Sequence, residues 1–554
     1  MRLSAAILAL FAAIYLVPLG ARPLTTPDET RYAEIPREML ASGDWTVPRL
    51  CTLRYFEKPP MGYWLTAMSM AAFGENRFAV RLPSALATGL SALLLALLVR
   101  SATGSAATAR WSVLIFLTVP FVFALGVTNV LDAPFAASIT ATVVFAFMGL
   151  EETRPAKRVA WLAATGAAAG AAFLIKGFLG FVIPALVLVP FLAVQRRWRE
   201  MATVPWVPLA VATAVVLPWA VAIHAREPDY WRYFIMEEHI QRFLDPRKGQ
   251  HPEPLWFLVP FLVGGPMVWT FLAPAILKRL PGAWTAHRRL VLFCMTWLTM
   301  PFVFFSLSSG KLPTYILPCF APLAVLLGLA ASRPPASEPD RARRIGSAVS
   351  AFVAAAALVL VAAAPLLPEK LRIYGAGETI STALILMALA AWLVTSLSAV
   401  RMRDETRALA CAGLGPVPLL IALHFAIPAR SIAGRAPERV LVEASGLVTP
   451  KTLFFGDGYM APAICWQYKT GRVFLTAKGE LAYGLSHGDD KHHNVPMEEV
   501  ASRLLDPRRG ADAAVVFPTK RAAWVIPMLP RPDETREADG VSFYLYRAPA
   551  GRTK

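Results

Sequence analysis

Long apolar runs alternate with short polar loops over the first 428 residues of the chain. Each run has about 17 to 25 residues, enough to cross a bilayer as a helix. Backbone groups must satisfy one another in hydrocarbon, and a period-two barrel pattern is absent, so the runs predict helices. We count about 13 predicted spans, which begin near Leu3, Leu82, Trp111, Leu131, Val159, Phe178, Val204, Leu255, Leu290, Tyr315, Ile345, Ile380 and Ala408.

The pattern changes near Ala429, where short apolar strands alternate with helical patches. The predicted strands are TLFFG at 452–456, RVFLTA at 472–477, AAVVFP at 513–518 and VSFYLYR at 541–547. We expect a turn at GDGY, 456–459, and a solvated loop from His487, with metal binding there as the less favoured alternative. The predicted fold class is a mainly α polytopic membrane protein, residues 1–428 with outer loops 21–81 and 225–253, followed by a small α/β domain, 429–554.

Basic residues test the count of spans, because every second loop should hold them if no span was missed or invented. They concentrate in one set of alternate loops: Arg100 and Arg110, then 151–158, 196–199, 278–289, 333–344 and 401–407. The acidic and aromatic loops form the other set: 21–81, 128–132, the turn at Lys176, 225–253, 308–314 and the chain after Pro428. We therefore predict a cytoplasmic N-terminus and a periplasmic C-terminus in a bacterial inner membrane, with the chemistry on the periplasmic side.

Composition agrees with this assignment, since 56% of the residues are hydrophobic and only 17% are charged. The net charge of +18 does not indicate nucleic-acid binding, because the cations lie in short loops and not in one soluble patch. The five cysteines show no CxxC or CxxH spacing, which argues against a zinc ribbon and a redox motif. Only Cys51 and Cys465 lie in predicted outer segments, and the sequence leaves open whether they pair. The segment Leu3 to Leu19 lacks a clear A-x-A cleavage site, so we expect a retained helix.

The first outer loop is the most informative stretch for chemistry. After Pro27, DETRYAEIPREML has the pattern of a helix start with acidic residues in its first turn. RYFEKPP follows, and its two prolines predict a turn at the membrane surface. A surface helix with intrahelical ion pairs is enough to explain these charges. At a membrane, however, the carboxylates also offer acid/base chemistry, and the nearby Arg31 and Lys58 offer cations for a phosphate.

DETRYAEIPREM, RYFEKPP and the later SGKLPTYILP resemble membrane glycosyltransferases of the GT-C fold, specifically lipid A 4-amino-4-deoxy-L-arabinose transferases. Protein O-mannosyltransferases are more distant relatives of that family. The resemblance covers essentially the whole chain. It implies transfer of aminoarabinose from undecaprenyl phosphate to a lipid A phosphate, with polymyxin resistance as its consequence, and with no nucleotide sugar and no cofactor required for catalysis.

The resemblance also implies site residues. The family's early acidic residue corresponds to Asp28, with Glu29 as its neighbour, while Arg31, Tyr55 and Lys58 would hold the donor. A phosphate acceptor is already ionised near neutral pH, so it scarcely needs a general base. We expect Asp28 to orient the sugar amine or to stabilise an oxocarbenium-like transition state.

Four further residues lie at the outer ends of predicted spans. Asp132 in TNVLDAPF and Lys176 in FLIKGFLG are charges at the edge of hydrocarbon, where a functional pair is credible and snorkelling to the interface is the alternative. Lys311 and Tyr315 in SSGKLPTYILP would contact phosphate and donor, although both residue types are also typical of membrane boundaries.

The fourth outer loop, 225–253, is amphipathic and should lie along the interface. We expect Arg242 and Arg247 to bind phosphate. His239 and His251, with Glu57 or Glu238, offer ligands for a structural divalent metal such as zinc, whereas solvated histidines are the simpler interpretation.

The sequence leaves two alternative functions to compare with this one. A transferase of the same fold could glycosylate a protein hydroxyl, in which case Asp28 would act as a general base. A transporter or flippase of lipid-linked sugar would predict inverted repeats or charged helices at mid-bilayer, and the sequence shows neither. The predicted partners are therefore an undecaprenyl phosphate-linked sugar, lipid A and membrane lipids, with no nucleic acid.

Overall fold

The computed structural model describes residues 2–241, 252–333, 340–375 and 377–549. The chain divides into two compact units. The membrane unit comprises Met1–Leu19, Arg81–Arg372 and Thr379–Ala426, and the loop-tail unit comprises Gly20–Val80, Ile373–Glu378 and Ile427–Lys554. The first outer loop therefore groups with the C-terminal segment, whereas the sequence assigned it to the membrane domain.

Helices build the membrane unit. In chain order they are Arg2–Phe11, Ala12–Leu16, Arg77–Thr103, Ala106–Thr118, Pro120–Gly126, Asp132–Glu151, Pro155–Lys176, Leu179–Val194, Trp198–Thr203, Trp206–Arg226, Tyr230–Arg232, Tyr233–Gln241, Val259–Gly264, Val268–Leu277, Leu280–Ala286, Arg288–Leu307, Pro313–Ile316, Leu317–Ala331, Arg341–Ala362, Ala364–Leu366, Glu369–Leu371, Thr379–Arg401, Glu405–Leu414 and Val417–Ala422.

Among the described residues, 8 helices are long and apolar enough to cross a membrane, or up to 9 if one bent pair is a single span. That pair, Ala106–Thr118 and Pro120–Gly126, bends by 66° at Val119, whose backbone is extended because proline follows it. The runs from Leu3, Phe178, Leu255 and Ala408 form shorter or interrupted helices. The count of about 13 spans therefore stays a prediction.

Buried aromatic and charged side chains hold the membrane unit together. Trp269, Trp297 and Trp392 are among its largest fully buried side chains, and the Trp269 indole donates to the Thr118 hydroxyl at 2.9 Å. Arg343, fully buried, donates to Glu405 at 2.9 Å, and Arg279 lies 3.4 Å from the same carboxylate. One carboxylate thus compensates two buried guanidinium groups.

The loop-tail unit contains the predicted α/β fold. Its helices are Asp28–Ser42, Met61–Phe73, Ala429–Ile432, Glu438–Glu443, Ser445–Leu447, Ala461–Tyr468, Gly479–Leu481, Gly484–Ser486, Lys491–His493, Met497–Leu505, Thr519–Val525 and Ile526–Met528, and a small hairpin pairs Arg49–Leu50 with Leu53–Arg54. The main sheet has the order Val473–Leu475, Leu453–Gly456, Ala513–Pro518, Val541–Tyr546 and Glu534–Ala538. The first three strands are parallel and the last two pairings are antiparallel.

The four predicted strands are confirmed. Their apolar side chains, among them Phe455, Val515 and Phe517, belong to the hydrophobic core of this unit. The sequence missed the strand Glu534–Ala538, because this edge strand has mostly exposed, polar side chains and no apolar alternation. The predicted turn at 456–459 is present, and Asp457 caps it by accepting from the backbone of Tyr459 and Met460.

Candidate functional site

The helix Asp28–Ser42 starts where the acidic pattern predicted and places Asp28 at its first position. The positive end of the helix dipole favours a carboxylate there. Arg31, one turn later, donates to Asp28 and also pairs with Glu480 from the tail. The Asp28 side chain is 56% exposed, whereas that of Arg31 is 7% exposed. A buried cation therefore holds an accessible carboxylate.

The motif RYFEKPP contributes the second part of this cluster. The Tyr55 hydroxyl lies 3.1 Å from a Glu57 oxygen and 3.3 Å from a Glu480 oxygen, and Lys58 donates to the Glu57 carbonyl at 2.8 Å. Arg31 and Tyr55 thus share Glu480. We define Asp28, Arg31, Tyr55, Glu57 and Glu480 as the Arg31 cluster.

The electrostatics of the Arg31 cluster keep its groups in defined protonation states. Burial acts to lower the pKa of Arg31, but Tyr55, Tyr32, Asp28 and Glu57 outweigh it and raise the pKa above the ordinary value. Burial also raises the pKa of Tyr55, so this phenol stays a hydrogen-bond donor. Within the described residues the buried Arg31 Nε has no hydrogen-bond partner, so one charged donor is not used by the protein.

Glu29, predicted as a catalytic residue, lies in a different environment from Asp28. Its carboxylate is fully buried and accepts from Arg22 at 2.7 and 3.1 Å and from the Thr25 backbone and hydroxyl at 3.1 and 3.0 Å. These contacts fix the loop that enters the helix. They favour a structural role, and the catalytic role of Glu29 stays a prediction.

Most of the helix is buried, so it is not the surface helix that the simpler interpretation expected, although the intrahelical ion pairs of that interpretation do form. Glu34 is fully buried and accepts two bonds from Arg37, at 2.6 and 2.7 Å. The nearby thiols of Cys51 and Cys465 are free, buried and within hydrogen-bonding reach of each other, and burial raises the pKa of both.

Asp132 and Lys176 meet in the membrane unit, as the sequence suggested. Lys176 Nζ lies 2.8 Å from Asp132 Oδ1, and the two side chains are 13% and 14% exposed. Asp132 begins the helix Asp132–Glu151 and Lys176 ends the helix Pro155–Lys176, so both charges are favoured by their helix dipoles. Lys176 also lies 6.0 Å from the ring centroid of Tyr315.

Lys311 is buried and donates to the Glu253 carbonyl at 2.6 Å. A short bridge between Pro252 and Gly310 holds the two segments together. Lys311 thus ties two loops together, and the predicted phosphate contact stays a prediction.

Other predicted residues lie outside the described part of the chain. These residues are Arg242, Arg247 and His251, and the side chain of His239 is likewise not described. Glu57, another predicted metal ligand, lies in the Arg31 cluster. Across the described residues no group of three or more His, Cys, Asp or Glu could hold a metal ion, and the metal hypothesis stays a prediction.

Sequence reasoning missed Glu480 and Tyr32. Glu480 lies in the short helix Gly479–Leu481, and nothing local distinguishes this lone glutamate from a solvated one. Tyr32 stands beside Arg31 in the motif, and its ring centroid lies 4.8 Å from the Arg31 guanidinium carbon. Its position next to Arg31 was the available signal.

Two family models match the chain. One is described as dolichyl-phosphate-mannose-protein mannosyltransferase and matches residues 1–234. The other is described as the C-terminal domain of arabinosyl transferase ArnT and matches residues 432–545. The first match lies within the predicted membrane domain and the second within the predicted C-terminal domain, and residues 235–431 lie outside both matches.

Two relatives that match over nearly the whole chain are named undecaprenyl phosphate-alpha-4-amino-4-deoxy-L-arabinose arabinosyl transferase. The protein from Aeromonas salmonicida is 36% identical over 543 residues, 97% of each chain. That from Edwardsiella ictaluri is 37% identical over 535 residues, 95% of each chain.

Solved structures of membrane glycosyltransferases resemble this chain as well. ArnT from Cupriavidus metallidurans bound to undecaprenyl phosphate has a TM-score of 0.81 at 25% identity, covering 100% of this chain and 99% of that one. The archaeal oligosaccharyltransferase AglB from Archaeoglobus fulgidus, with a TM-score of 0.51 and 12% identity over 93% of this chain and 68% of its own, shares the fold. The chain is a multi-pass membrane glycosyltransferase of the GT-C fold, and it belongs to the family of undecaprenyl phosphate-alpha-4-amino-4-deoxy-L-arabinose arabinosyl transferases.

Proposed function

We propose that this enzyme transfers 4-amino-4-deoxy-L-arabinose from undecaprenyl phosphate to a phosphate group of lipid A, at the periplasmic face of the inner membrane. The modification would remove negative charge from the lipid surface and so confer resistance to polymyxin and other cationic peptides. The observation that carries the proposal is the accessible Asp28 carboxylate held by buried Arg31, in a chain that matches this family over its full length.

The reaction exchanges one phosphate for another at the anomeric carbon. An oxygen of the lipid A phosphate forms the new bond, the bond to undecaprenyl phosphate breaks, and its electron pair leaves with the carrier phosphate. The acceptor is already ionised, so no proton must be removed. Positioning and charge stabilisation supply most of the catalysis.

Asp28 suits the positive charge that develops in this reaction. The sugar ring becomes oxocarbenium-like in the transition state, and its amine is cationic near neutral pH, as alkylamines are. A carboxylate fixed by Arg31 pairs with these charges, and it needs no reorganisation when they appear.

Cations in the same unit bind the carrier phosphate. Lys58 donates to a backbone carbonyl and can exchange this neutral acceptor for a phosphate oxygen. Arg31 offers its Nε while its terminal nitrogens hold Asp28 and Glu480. We propose that neither the binding of the carrier phosphate nor the transfer of the sugar requires a metal. A chelator should therefore leave transfer intact.

The orientation rests on the alternation of loops. Segments such as 151–158 and 196–199 are rich in arginine and lysine and belong on the cytoplasmic side. Residues 21–81 and the tail fall in the opposite set, which supports a periplasmic location for Asp28.

Purified protein incubated with undecaprenyl phosphate-aminoarabinose and lipid A tests the proposal. We expect lipid A to gain the mass of one aminoarabinose residue. Asp28→Asn and Lys58→Ala should each abolish transfer, while Asp44→Asn and Lys451→Ala, charge changes in the same unit, should leave it intact. Full activity of either site variant would contradict the assigned roles.

The match of residues 1–234 to a protein mannosyltransferase model favours one second candidate, transfer to a protein hydroxyl. A serine- and threonine-containing peptide in place of lipid A tests it. Modification of the peptide but not of lipid A would replace the proposed acceptor.

A further inference from the structure

An apolar groove opens in the membrane unit between the first helix and the helices Arg77–Thr103 and Ala106–Thr118. Its volume is about 500 Å³, within the range of small-ligand sites, ~300 to 1,000 Å³. Its apolar wall includes Leu8, Phe11, Leu90, Leu93 and Ala96. A Cβ at Gly89 would lie 2.7 Å from the Phe11 ring, so the first helix packs closely on the helix Arg77–Thr103 at this position.

Two arginines line the same groove. Arg100 lies in the last turn of its helix and is exposed, and Arg110 lies near the start of the next helix, across the turn at Gly104. Throughout the described residues neither arginine has an acidic partner, and the Arg110 Nε is buried without a hydrogen-bond partner. This contrasts with Arg279 and Arg343 of the same unit, which share Glu405.

Unpaired guanidinium groups beside hydrocarbon are expensive, and arginine binds phosphate with strong, bidentate hydrogen bonds. The groove therefore combines a wall for an acyl chain with two cations for a phosphate. A soluble anion would contact only the two arginines and would leave the apolar wall of the groove without a ligand. We propose that this groove binds an anionic phospholipid, with an acyl chain along the apolar wall and the phosphate between Arg100 and Arg110.

The groove and the Arg31 cluster are different sites, because the residues of the groove belong to the membrane unit and those of the Arg31 cluster belong to the loop-tail unit. The two arginines fall in the set of basic loops, so the lipid comes from the cytoplasmic leaflet, where anionic lipids attract basic segments. The lipid is a bound structural ligand and not a substrate.

Native mass spectrometry of the full-length protein in detergent tests the site, with phosphatidylglycerol and phosphatidylcholine of identical acyl chains. We expect one tightly bound phosphatidylglycerol and at least about tenfold weaker binding in the double variant Arg100→Ala/Arg110→Ala, since two charge-assisted contacts are lost. Arg344→Ala, an exposed arginine of another helix, is the control and should bind normally.

The apolar wall needs its own variant. Ala96→Phe fills the groove while keeping both arginines and should also weaken binding, whereas Ala210→Phe on the exposed face of helix Trp206–Arg226 should not. If the double alanine variant does not fold, the comparison of Ala96→Phe with Ala210→Phe tests whether the groove binds the lipid.

Three results would overturn the proposal: equal binding of the two lipids, unchanged phosphatidylglycerol binding in the groove variants, or displacement of the lipid by inorganic phosphate at matched concentration. The last result would mean that the acyl chain contributes nothing.

Discussion

Asp28 and Glu29 are neighbours in the chain, but their carboxylates meet different surroundings. Glu29 is fully buried and saturated by Arg22 and Thr25, whereas Asp28 is more than half exposed and held by one buried arginine. A helix turns successive side chains by about 100°, so one faces the interior and the other does not. The two residues should therefore respond differently to the same change.

Glu29→Gln should lower the stability of the protein by about 3 to 5 kcal/mol, the cost of breaking a buried ion pair and leaving its partner charged. Asp28→Asn should change stability little and abolish transfer. Thermal unfolding and the transfer assay, measured on both variants, separate these effects. A stable but inactive Glu29→Gln protein would show that Glu29 acts in catalysis.

Glu38 makes stability depend on pH. Burial raises the pKa of this carboxyl, which accepts from the Thr52 backbone at 3.0 and 3.1 Å. The unfolded chain loses the proton near the ordinary value, about 4.3, and the folded chain keeps it to higher pH. Stability should be full below the ordinary pKa and fall as pH rises to the raised one.

Glu38→Gln cannot ionise and should remove this contribution. The unfolding midpoint, followed from about pH 4 to about pH 8, should fall less steeply in Glu38→Gln than in the unchanged protein. Glu443→Gln, at an exposed glutamate of the same unit, should keep the original slope. Parallel profiles for all three proteins would refute the assignment.

Helix termini bring Asp132 and Lys176 together, since one begins a span and the other ends the next. Such a pair can hold two helices in register or act on a substrate. Removing one partner leaves an uncompensated charge in either case, so single variants do not distinguish the two roles.

The double variant Asp132→Asn/Lys176→Gln does distinguish them. It removes both charges, so we expect it to recover most of the stability that either single variant loses. If the pair acts in transfer, the double variant should be stable and inactive. Recovery of activity together with stability would assign the pair to packing alone.

The chain as a whole places its first loop and its tail in one compact unit, although about 350 residues separate them in sequence. Arg77 pairs with Glu438 at 2.5 Å, Arg54 with Asp490 at 3.0 Å, and Trp466 packs against Leu24, Ala33 and Met70. Segments that fold as one unit must lie on the same side of the membrane.

Labelling of intact cells with a membrane-impermeant maleimide tests this sidedness. A cysteine at exposed Lys451 should react from outside, and one at Arg154 in the basic loop should react only after lysis. The unchanged chain, whose Cys51 and Cys465 are buried with raised pKa values, is the background control. Reaction of Lys451→Cys only after lysis would place the unit in the cytosol and refute the proposed face.

The apolar periodicity of the chain was enough to predict the helical class and the four buried strands of the tail. The proline and the acidic residues after it predicted the helix at Asp28, because helix starts also depend on local pattern. The meeting of Asp132 with Lys176 could also be anticipated, since lone charges at span ends need partners. Glu480 could not be anticipated, because nothing near it in sequence marks Arg31 and Tyr55 as its partners. The edge strand Glu534–Ala538 was missed although its partner, Val541–Tyr546, follows directly after the turn Asp539–Gly540, and Asp-Gly is a local hairpin signal. The position of Glu480 depends on long-range contacts, which form only when the tail packs on the first loop and burial selects which charges pair.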